Sequence, residues 1–435
     1  MSIDPSPAFD QIEAALKLPI LYRHIPRASI EAVLQECQAV EKRRRKLPAL
    51  VVLLLVIVMH WFSHESLAYV LLKVLTLPSL LSGQLPSRWV ADKSSISEAR
   101  YRLGARPLVE LFKRVCRPQA TPMTPGAFLF GKRLVALDGT IEAVADSPAN
   151  ATYFGRSSGH YGDSAFPQAC CIYLCECATH IIFDAGIWPY GTSEKVICRR
   201  LLRSLQADML LMVDAGLTTF DLLNAVCQRQ ADFLARVEKR WLLKPIRDLN
   251  DGSYLAYLAP GDYPRRQHQR LLVRVIAYTL DDPQRPGCGQ RYRLITSLLD
   301  PDTAPALDLV CAYHQRWDIE LTIDELDTHQ RLAQRPFRSL RPVGVVQELY
   351  GLLLAHFVVR CWMLQAAQQT LLDPRRLSFI NALRLLRDGL SLGYLSLPIA
   401  LSDFLLDTLS SLRLPPRDNR INPRVVKRRQ AKFPR

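Results

Sequence analysis

Acid is scarce in this 435-residue chain. Asp plus Glu number 41 against 56 Lys plus Arg, which leaves a formal charge of +15 at neutral pH and a pI near 9.4. Such an excess points to a polyanionic partner. A secretory signal is also lacking: Asp4, Asp10 and Glu13 interrupt the N-terminal stretch, which holds no apolar core of signal length. The eleven cysteines, an odd number, are therefore expected as free thiols in a reducing cytoplasm. Long apolar runs are absent too. The run that comes nearest, residues 47–59 (LPALVVLLLVIVM), follows the basic residues 42–46, the flank a membrane anchor would have. Its roughly thirteen positions fall short of the about twenty that a span needs, and His60, His64 and Glu65 follow. The expectation is a buried helix and no membrane. What is present, 49% apolar and 22% charged residues, is a globular composition. The length suits two to four domains of about 150 residues, which excludes wholesale disorder, a collagen-like fibre and a small disulfide scaffold.

Residues 1–125 read as helices over 30–40, 47–62, 67–75, 95–103 and 107–115, with breaks at Pro78, Pro86 and Gly104. The helix at Ser95 has Ser94 and Ser95 as candidate caps and carries Arg100 and Arg102. Both an exposed DNA-contacting helix and an ordinary amphipathic helix fit it. Residues 118–125 (PQATPMTP) read as a linker, and the pattern then turns to strands. Residues 133–138 and 210–214 are apolar runs that end in an acid; 169–178 and 180–184 are further strands, and 193–206 and 219–237 read as helices. Alternation of this kind indicates an α/β sheet with a crossover connection. From 241 to 299 the pattern is β only, with turns at Asp251-Gly252, Pro260-Gly261 and Asp282-Pro283. There Arg274, Arg291 and Arg293 interleave with Val273, Val275, Tyr292 and Leu294, so one apolar and one partly basic face are expected. Residues 308–412 read as mostly helical. The segment 415–435 has eight basic residues with Asp418 as its one acid and is expected to be an electrostatic arm.

Three carboxylates come from separate segments. Leu137-Asp138-Gly139-Thr140 and Val213-Asp214-Ala215-Gly216 each put an aspartate at the end of a buried strand, where open α/β sheets hold their ligands. A lone acid there is commonly a turn former or a helix cap, but two in matching contexts weaken that reading. In Tyr313-His314-Gln315-Arg316-Trp317-Asp318-Ile319-Glu320, the spacing puts Tyr313, Arg316 and Glu320 on one helix face. A plain surface ion pair between Arg316 and Glu320 would contribute little. The apolar Trp317, Ile319, Leu321 and Ile323 suggest instead a packed helix with a purposeful polar stripe.

At these residues the sequence resembles the DDE transposases of bacterial insertion sequences, specifically the insertion sequence four family. The likeness spans nearly the whole chain, including residues 94–104, 154–168 and 422–427. It implies a ribonuclease H-like core carrying two aspartates and a glutamate, with a β-rich insertion between the second aspartate and the glutamate. The spacings, 76 and 106 residues, leave room for the β region in the second gap. The implied division is a helical DNA-end-binding domain over 1–125, a first core part over 126–240, the insertion over 241–300, core completion with C-terminal helices over 301–412, and a basic tail over 413–435. Tyr313, Arg316 and Glu320 match the family's Tyr, Arg, Glu, Lys helix motif, but its lysine position is Asp327, and the arginine often found after the second aspartate is Ala215. Arg331, one helical turn beyond Asp327, is the candidate for the missing phosphate contact.

The resemblance implies cut-and-paste transposition, with a catalytically silent DNA-binding descendant as the alternative. Expected partners are double-stranded DNA, namely the element's terminal inverted repeats and target DNA, bound by a homodimer in the cytoplasm at the nucleoid. Asp138, Asp214 and Glu320 are the expected catalytic and metal-binding residues; Tyr313, Arg316, Arg331, Arg274, Arg291 and Arg293 are the expected DNA contacts. Magnesium, with manganese as a substitute, is the expected cofactor, because hard cations prefer carboxylate and phosphate oxygens. Two ions roughly 3.5–4 Å apart activate the attacking oxygen and stabilise the leaving one in an in-line displacement. Other candidates are weaker. Cys170, Cys171, Cys175 and Cys177 lie on one strand whose side chains alternate, so they cannot all converge on one zinc. Gly155, Gly159 and Gly162 lack the strand-to-helix context of a nucleotide fingerprint and suit a DNA-adjacent loop or a plain connection.

Overall fold

The computed structural model describes residues 18–41, 47–73, 91–159, 162–260, 269–279, 283, 288–331, 335–391 and 399–415. The expected breaks at Pro78 and Pro86, the turns at Gly261 and Asp282, the basic residues 42–46 and the tail from 416 onward lie outside them.

The N-terminal part is helical: α1 (Pro19–His24), α2 (Arg27–Glu36), α3 (Ala49–Val58), α4 (Leu67–Leu71), α5 (Lys93–Leu103) and α6 (Arg106–Val115). Apolar side chains on every side of α3 call for burial all round, and all ten of its residues are buried. On α5 the cap is Asp92, whose carboxylate accepts from Ser95 N at 2.7 Å, rather than Ser94 or Ser95. One side of α5 is exposed, Arg102 included, and the other is buried. Arg100 is buried and donates to Ser339 Oγ and the Gly344 carbonyl, and Arg102 donates to the Leu47 carbonyl.

Ten strands form one sheet among the described residues. They are β1 (Phe128–Leu129), β2 (Lys132–Ala143), then, after α7 (Pro148–Phe154) and the separate hairpin β3 (Ser158–Gly159) and β4 (Gly162–Asp163), β5 (Gln168–Glu176), β6 (Ile181–Pro189), β7 (Met209–Val213), β8 (Asp232–Arg236), β9 (Pro245–Asp248), β10 (Tyr254–Leu258), β11 (Leu271–Thr279) and β12 (Arg291–Thr296). Their spatial order is β6-β5-β2-β7-β8-β12-β11-β10-β9, with β1 beside β2. β2 pairs antiparallel with β5, and β5 with β6, while β2, β7 and β8 run parallel. Parallel neighbours need crossovers, which α8 (Glu194–Leu201) and α9 (Phe220–Gln228) supply. The helix expected over 219–237 is thus two elements, α9 followed by β8. Gln230 takes a positive φ of 60° between them, and a short strand of buried Phe233, Leu234 and Ala235 follows. The β-rich residues beyond 241 do not build a sheet of their own: β12 pairs with β8 and extends the central sheet.

The sheet separates two cores. Val135, Leu137, Leu211 and Val213 face α8 and α9, while Leu134, Ala136, Tyr173 and Met212 face the other side. There lie α10 (Ala306–His314), α11 (Trp317–Asp324), a π-helical stretch Glu325–Gln330, the long α12 (Pro342–Gln369), α13 (Phe379–Ser391) and α14 (Ile399–Ser411). Gly351 lets α12 lie directly on α3, since a Cβ there would sit 2.5 Å from the Val56 carbonyl. Among the described residues, α12 alone is long and apolar enough to cross a membrane, and 83% of its apolar window is buried against the rest of the protein.

Candidate active site

Strand register brings the two aspartates together. β2 and β7 run parallel with Leu137 opposite Val213, so Asp138 and Asp214 follow at neighbouring positions. Asp138 shares a strand face with Ala136 and pairs across with Tyr173 on β5. Its Oδ1 accepts from Gly139 N at 2.8 Å. Gly139 leaves room for close strand packing: a Cβ there would come within 2.5 Å of Ile172 Cδ1, which would have to shift, and 3.2 Å of the Cys171 carbonyl. At Asp214 the backbone carbonyl makes the turn, accepting from Thr218 N at 3.0 Å and Thr218 Oγ1 at 2.8 Å. The carboxylate has only a long 3.5 Å contact to Gly216 N, so the turn does not use it up.

The residues expected on one helix face belong instead to two helices. The chain breaks at Gln315-Arg316, where Asp318 N reaches back to the Gln315 carbonyl at 2.9 Å and Ile319 N to that of Arg316 at 3.2 Å. Tyr313, at the end of α10, is buried and donates its hydroxyl to the Val213 carbonyl at 3.2 Å. It positions the backbone beside Asp214 and is not a surface DNA contact. Arg316 precedes α11 and points at the acids: its Nη2 donates to Glu320 Oε1 at 2.8 Å, and its Nη1 lies 3.8 Å from Asp138 Oδ2. Its buried Nε has no partner among the described residues.

Behind α11 stands a buried charged network that the sequence reading missed. Asp318 accepts from Ala178 N at 2.9 Å, and Glu325 lies between His180, His356 and Arg360. These contacts fix the segment that presents Glu320. The i, i+7 spacing from Asp318 to Glu325 was a visible signal for a second acidic stripe facing inward, but its partners come from β5–β6 and α12, far away in sequence.

Burial pushes the Asp138 carboxyl up to about 6; Gly139 N and Arg316 oppose this, and the neighbouring charges of Glu320 and Asp214 add to it. Three carboxylates thus share one guanidinium, and Asp138 tends to hold its proton. An oxygen-only donor set with unbalanced charge fits a hard divalent cation, which commonly takes one or two carboxylates and completes its shell with water and substrate phosphate. Among the described residues no three His, Cys, Asp or Glu side chains converge closely enough to share one ion; Arg316 lies between Asp138 and Glu320 instead.

Other expected contacts are placed differently. Arg274 is fully buried, paired with Asp251 and donating to Ser253 Oγ at 2.8 Å and to the Ala304 carbonyl at 2.6 Å. Register puts it opposite Thr296, whereas Arg293 and Arg291 lie opposite Ala277 and Thr279. Arg274 is therefore on the other face of the sheet from Arg291 and Arg293, and the single basic face does not form. Arg293 donates to the Glu238 and Lys239 carbonyls, and Arg291 is exposed. Arg331 does not offer a free guanidinium near Asp138, Asp214 and Glu320. It is buried, paired with Glu142 and with Asp327 at 3.3 Å, and stacked 4.0 Å from the Phe337 ring centroid. Asp327 sits in that cluster with its carboxyl pushed up by burial and by Glu142. The four clustered cysteines are buried, Cys170 in one core and Cys171, Cys175 and Cys177 in the other, and all eleven cysteines are free.

Residues 129–358 match the family described as Transposase DDE domain, and residues 15–113 match Insertion element 4 transposase N-terminal. The chain is similar to the transposase InsG for insertion sequence element IS4 of Escherichia coli, 28% identical over 412 residues that cover 93% of this chain and 91% of that protein. It is also similar to the putative transposase InsZ of Escherichia coli, 25% identical over 270 residues covering 60% of this chain and 85% of that one.

Proposed function

The chain belongs to the insertion sequence four family of DDE transposases, and on that premise we propose that Asp138, Asp214 and Glu320 form its cleavage centre. It is a DNA-cleaving transposase, and the catalytically silent alternative is not favoured. The family generally uses divalent metal and acts on insertion-sequence ends. The observation that carries the assignment is the register of β2 and β7, which places two aspartates side by side under the helix bearing Glu320.

In this reading the sheet order and strand directions from β6 to β8 are those of a ribonuclease H-like core. Asp138, Asp214 and Glu320 would hold the divalent metal, two magnesium ions in this reading, which would supply activation of the attacking oxygen and stabilisation of the leaving one. Asp138 acts deprotonated. Arg316 holds a phosphate of the DNA end in a bidentate grip when it turns from Glu320. Tyr313 keeps the Asp214 backbone in register, and exposed Arg291 contacts the duplex. Water attacks in cleavage and a DNA 3′ hydroxyl in strand transfer. Two copies bridge two ends, with the N-terminal helices on the repeats and residues 413–435 on the backbone.

Gel shifts and plasmid nicking on the same preparations test this. Asp138→Ala, Asp214→Ala and Glu320→Ala each abolish nicking and leave DNA binding largely intact. Near-normal nicking by any one of them removes that residue from the centre.

A further inference from the structure

A second site lies beyond the catalytic acids. Where the segment after α3 meets the segment after the π-helical stretch, a cavity of about 110 Å³ is lined by His60, Ser63, Arg331, Arg335, Arg338 and Glu348, among others. Its walls are tied together: the Ser63 hydroxyl donates to the Gln330 carbonyl, and Arg338 Nη1 donates to the Glu65 carbonyl at 3.3 Å.

The lining is cationic, and two of its three arginines are not neutralised. Glu348 is its one acid, and it is committed: Oε2 accepts from Arg338 N at 2.8 Å, and Oε1 accepts from Ser339 Oγ and lies 3.5 Å from Arg100. Arg331 is engaged with Glu142 and Asp327. Arg335 and Arg338 are exposed, and among the described residues neither has an acid within ion-pair distance. His60 is 5% exposed, yet its Nε2 has no hydrogen-bond partner. A buried polar nitrogen left unmet in this way commonly marks a missing partner. Burial, followed by Arg338, Arg100 and Arg331, holds His60 well below the usual histidine range, so the ring is neutral. A neutral imidazole can carry its one proton on Nε2 and donate to an anion.

We propose that this cavity binds one backbone phosphate of a DNA strand, gripped by Arg335 and Arg338 and by His60 Nε2. The assignment to DNA rests on the transposase reading. Arg331 links the cavity wall to Glu142, four residues along β2 from Asp138, about 13 Å at a strand's rise. That length equals about four base-pair steps of a duplex. The site supplies the cations that the position of Asp327 does not.

The test uses the full-length protein and a fluorescent duplex of arbitrary sequence, titrated by anisotropy over a range of salt. For the Arg335→Gln, Arg338→Gln double variant, the slope of log affinity against log salt becomes shallower by about 0.9 per arginine lost. His60→Gln lowers affinity several-fold with the slope unchanged, because it removes a neutral contact. An unchanged slope in the folded double variant overturns the proposal. So does stabilisation of the wild type by inorganic phosphate together with an unchanged slope, which would mean a free-anion site. Plasmid nicking by the wild type with divalent ions, run in parallel, separates the two readings. Intact nicking with an unchanged slope sinks the cavity alone; absent nicking with a shallower slope sinks the transposase reading and keeps the phosphate site.

Discussion

Asp138, Glu320 and Arg316 on the one hand, and Glu142, Asp327 and Arg331 on the other, stand four residues apart on β2 and seven apart on the facing helical segment. Each group sets an arginine between a strand acid and a helix acid. In the first, the Asp138 and Glu320 side chains are 25% and 33% exposed, and Arg316 makes one hydrogen bond and leaves Nε unmet. In the second, Glu142 and Asp327 are 6% and 14% exposed, and Arg331 is bonded to both acids and to the Arg335 carbonyl and lies against Phe337. The third acid, Asp214, joins the first group only. Identical residue types thus make a proposed reactive cluster where a third acid joins and water can enter, and a structural clamp where the arginine is saturated and the acids are buried. Burial and saturation, not composition, separate the two.

Breaking each cluster should therefore fail in opposite ways. The largest effect is on chemistry: Glu320→Gln or Asp138→Asn lowers nicking by more than about a thousandfold, the several kcal/mol that metal-assisted charge stabilisation supplies, with no fall in melting temperature. Unfolding well below the wild-type temperature would show that these acids are structural. Next is Arg331→Ala, which leaves Glu142 and Asp327 buried without their cation. Urea unfolding should show a loss of about 3–5 kcal/mol, and a loss below about 1 kcal/mol would deny the clamp.

The comparison sharpens with pH. Asp138 holds its proton to about 6 in the folded chain, against 3.8 ordinarily. The folded state therefore binds more protons between these values, and stability falls as pH rises through that window. Without metal, Asp138→Asn should stabilise the protein by up to roughly 3 kcal/mol above pH 6, and the gain should fade as pH drops toward 4. Nicking by the wild type should decline below pH 6, as the carboxylate needed for metal is lost. A pH-independent difference between the two proteins in urea would contradict the assignment. The smallest expected effect is that of Tyr313→Phe, about 1 kcal/mol of stability for one buried hydrogen bond and a few-fold loss of nicking rate with DNA affinity unchanged.

Much of this was legible before any coordinates. Apolar runs ending in Asp138 and Asp214 pointed to two buried strands, because continuous apolar stretches fit strands covered on both faces, and their pairing came only with the structure. The burial of α3 followed from its length and its lack of a polar side. Contacts set by distant pairing were not legible. The faces of Arg274 and Arg293 depend on the β11–β12 register, which a one-residue slip would invert. The Gln315-Arg316 break has no glycine or proline to announce it. Glu142 follows Asp138 at the period-2 spacing of one strand face, a signal present in the sequence, but its partner Arg331 lies 189 residues away. Asp327, a departure from the family motif when read alone, is explained by that partnership.

The most direct test is one nicking titration against magnesium, with wild type, Glu320→Gln and Glu142→Gln side by side at a temperature where circular dichroism shows all three folded. The account predicts no nicking by Glu320→Gln at any magnesium concentration, with duplex binding retained, and metal-dependent nicking by Glu142→Gln close to the wild-type curve. Nicking by Glu320→Gln, or its loss in folded Glu142→Gln alone, would contradict the division between a reactive cluster and a clamp.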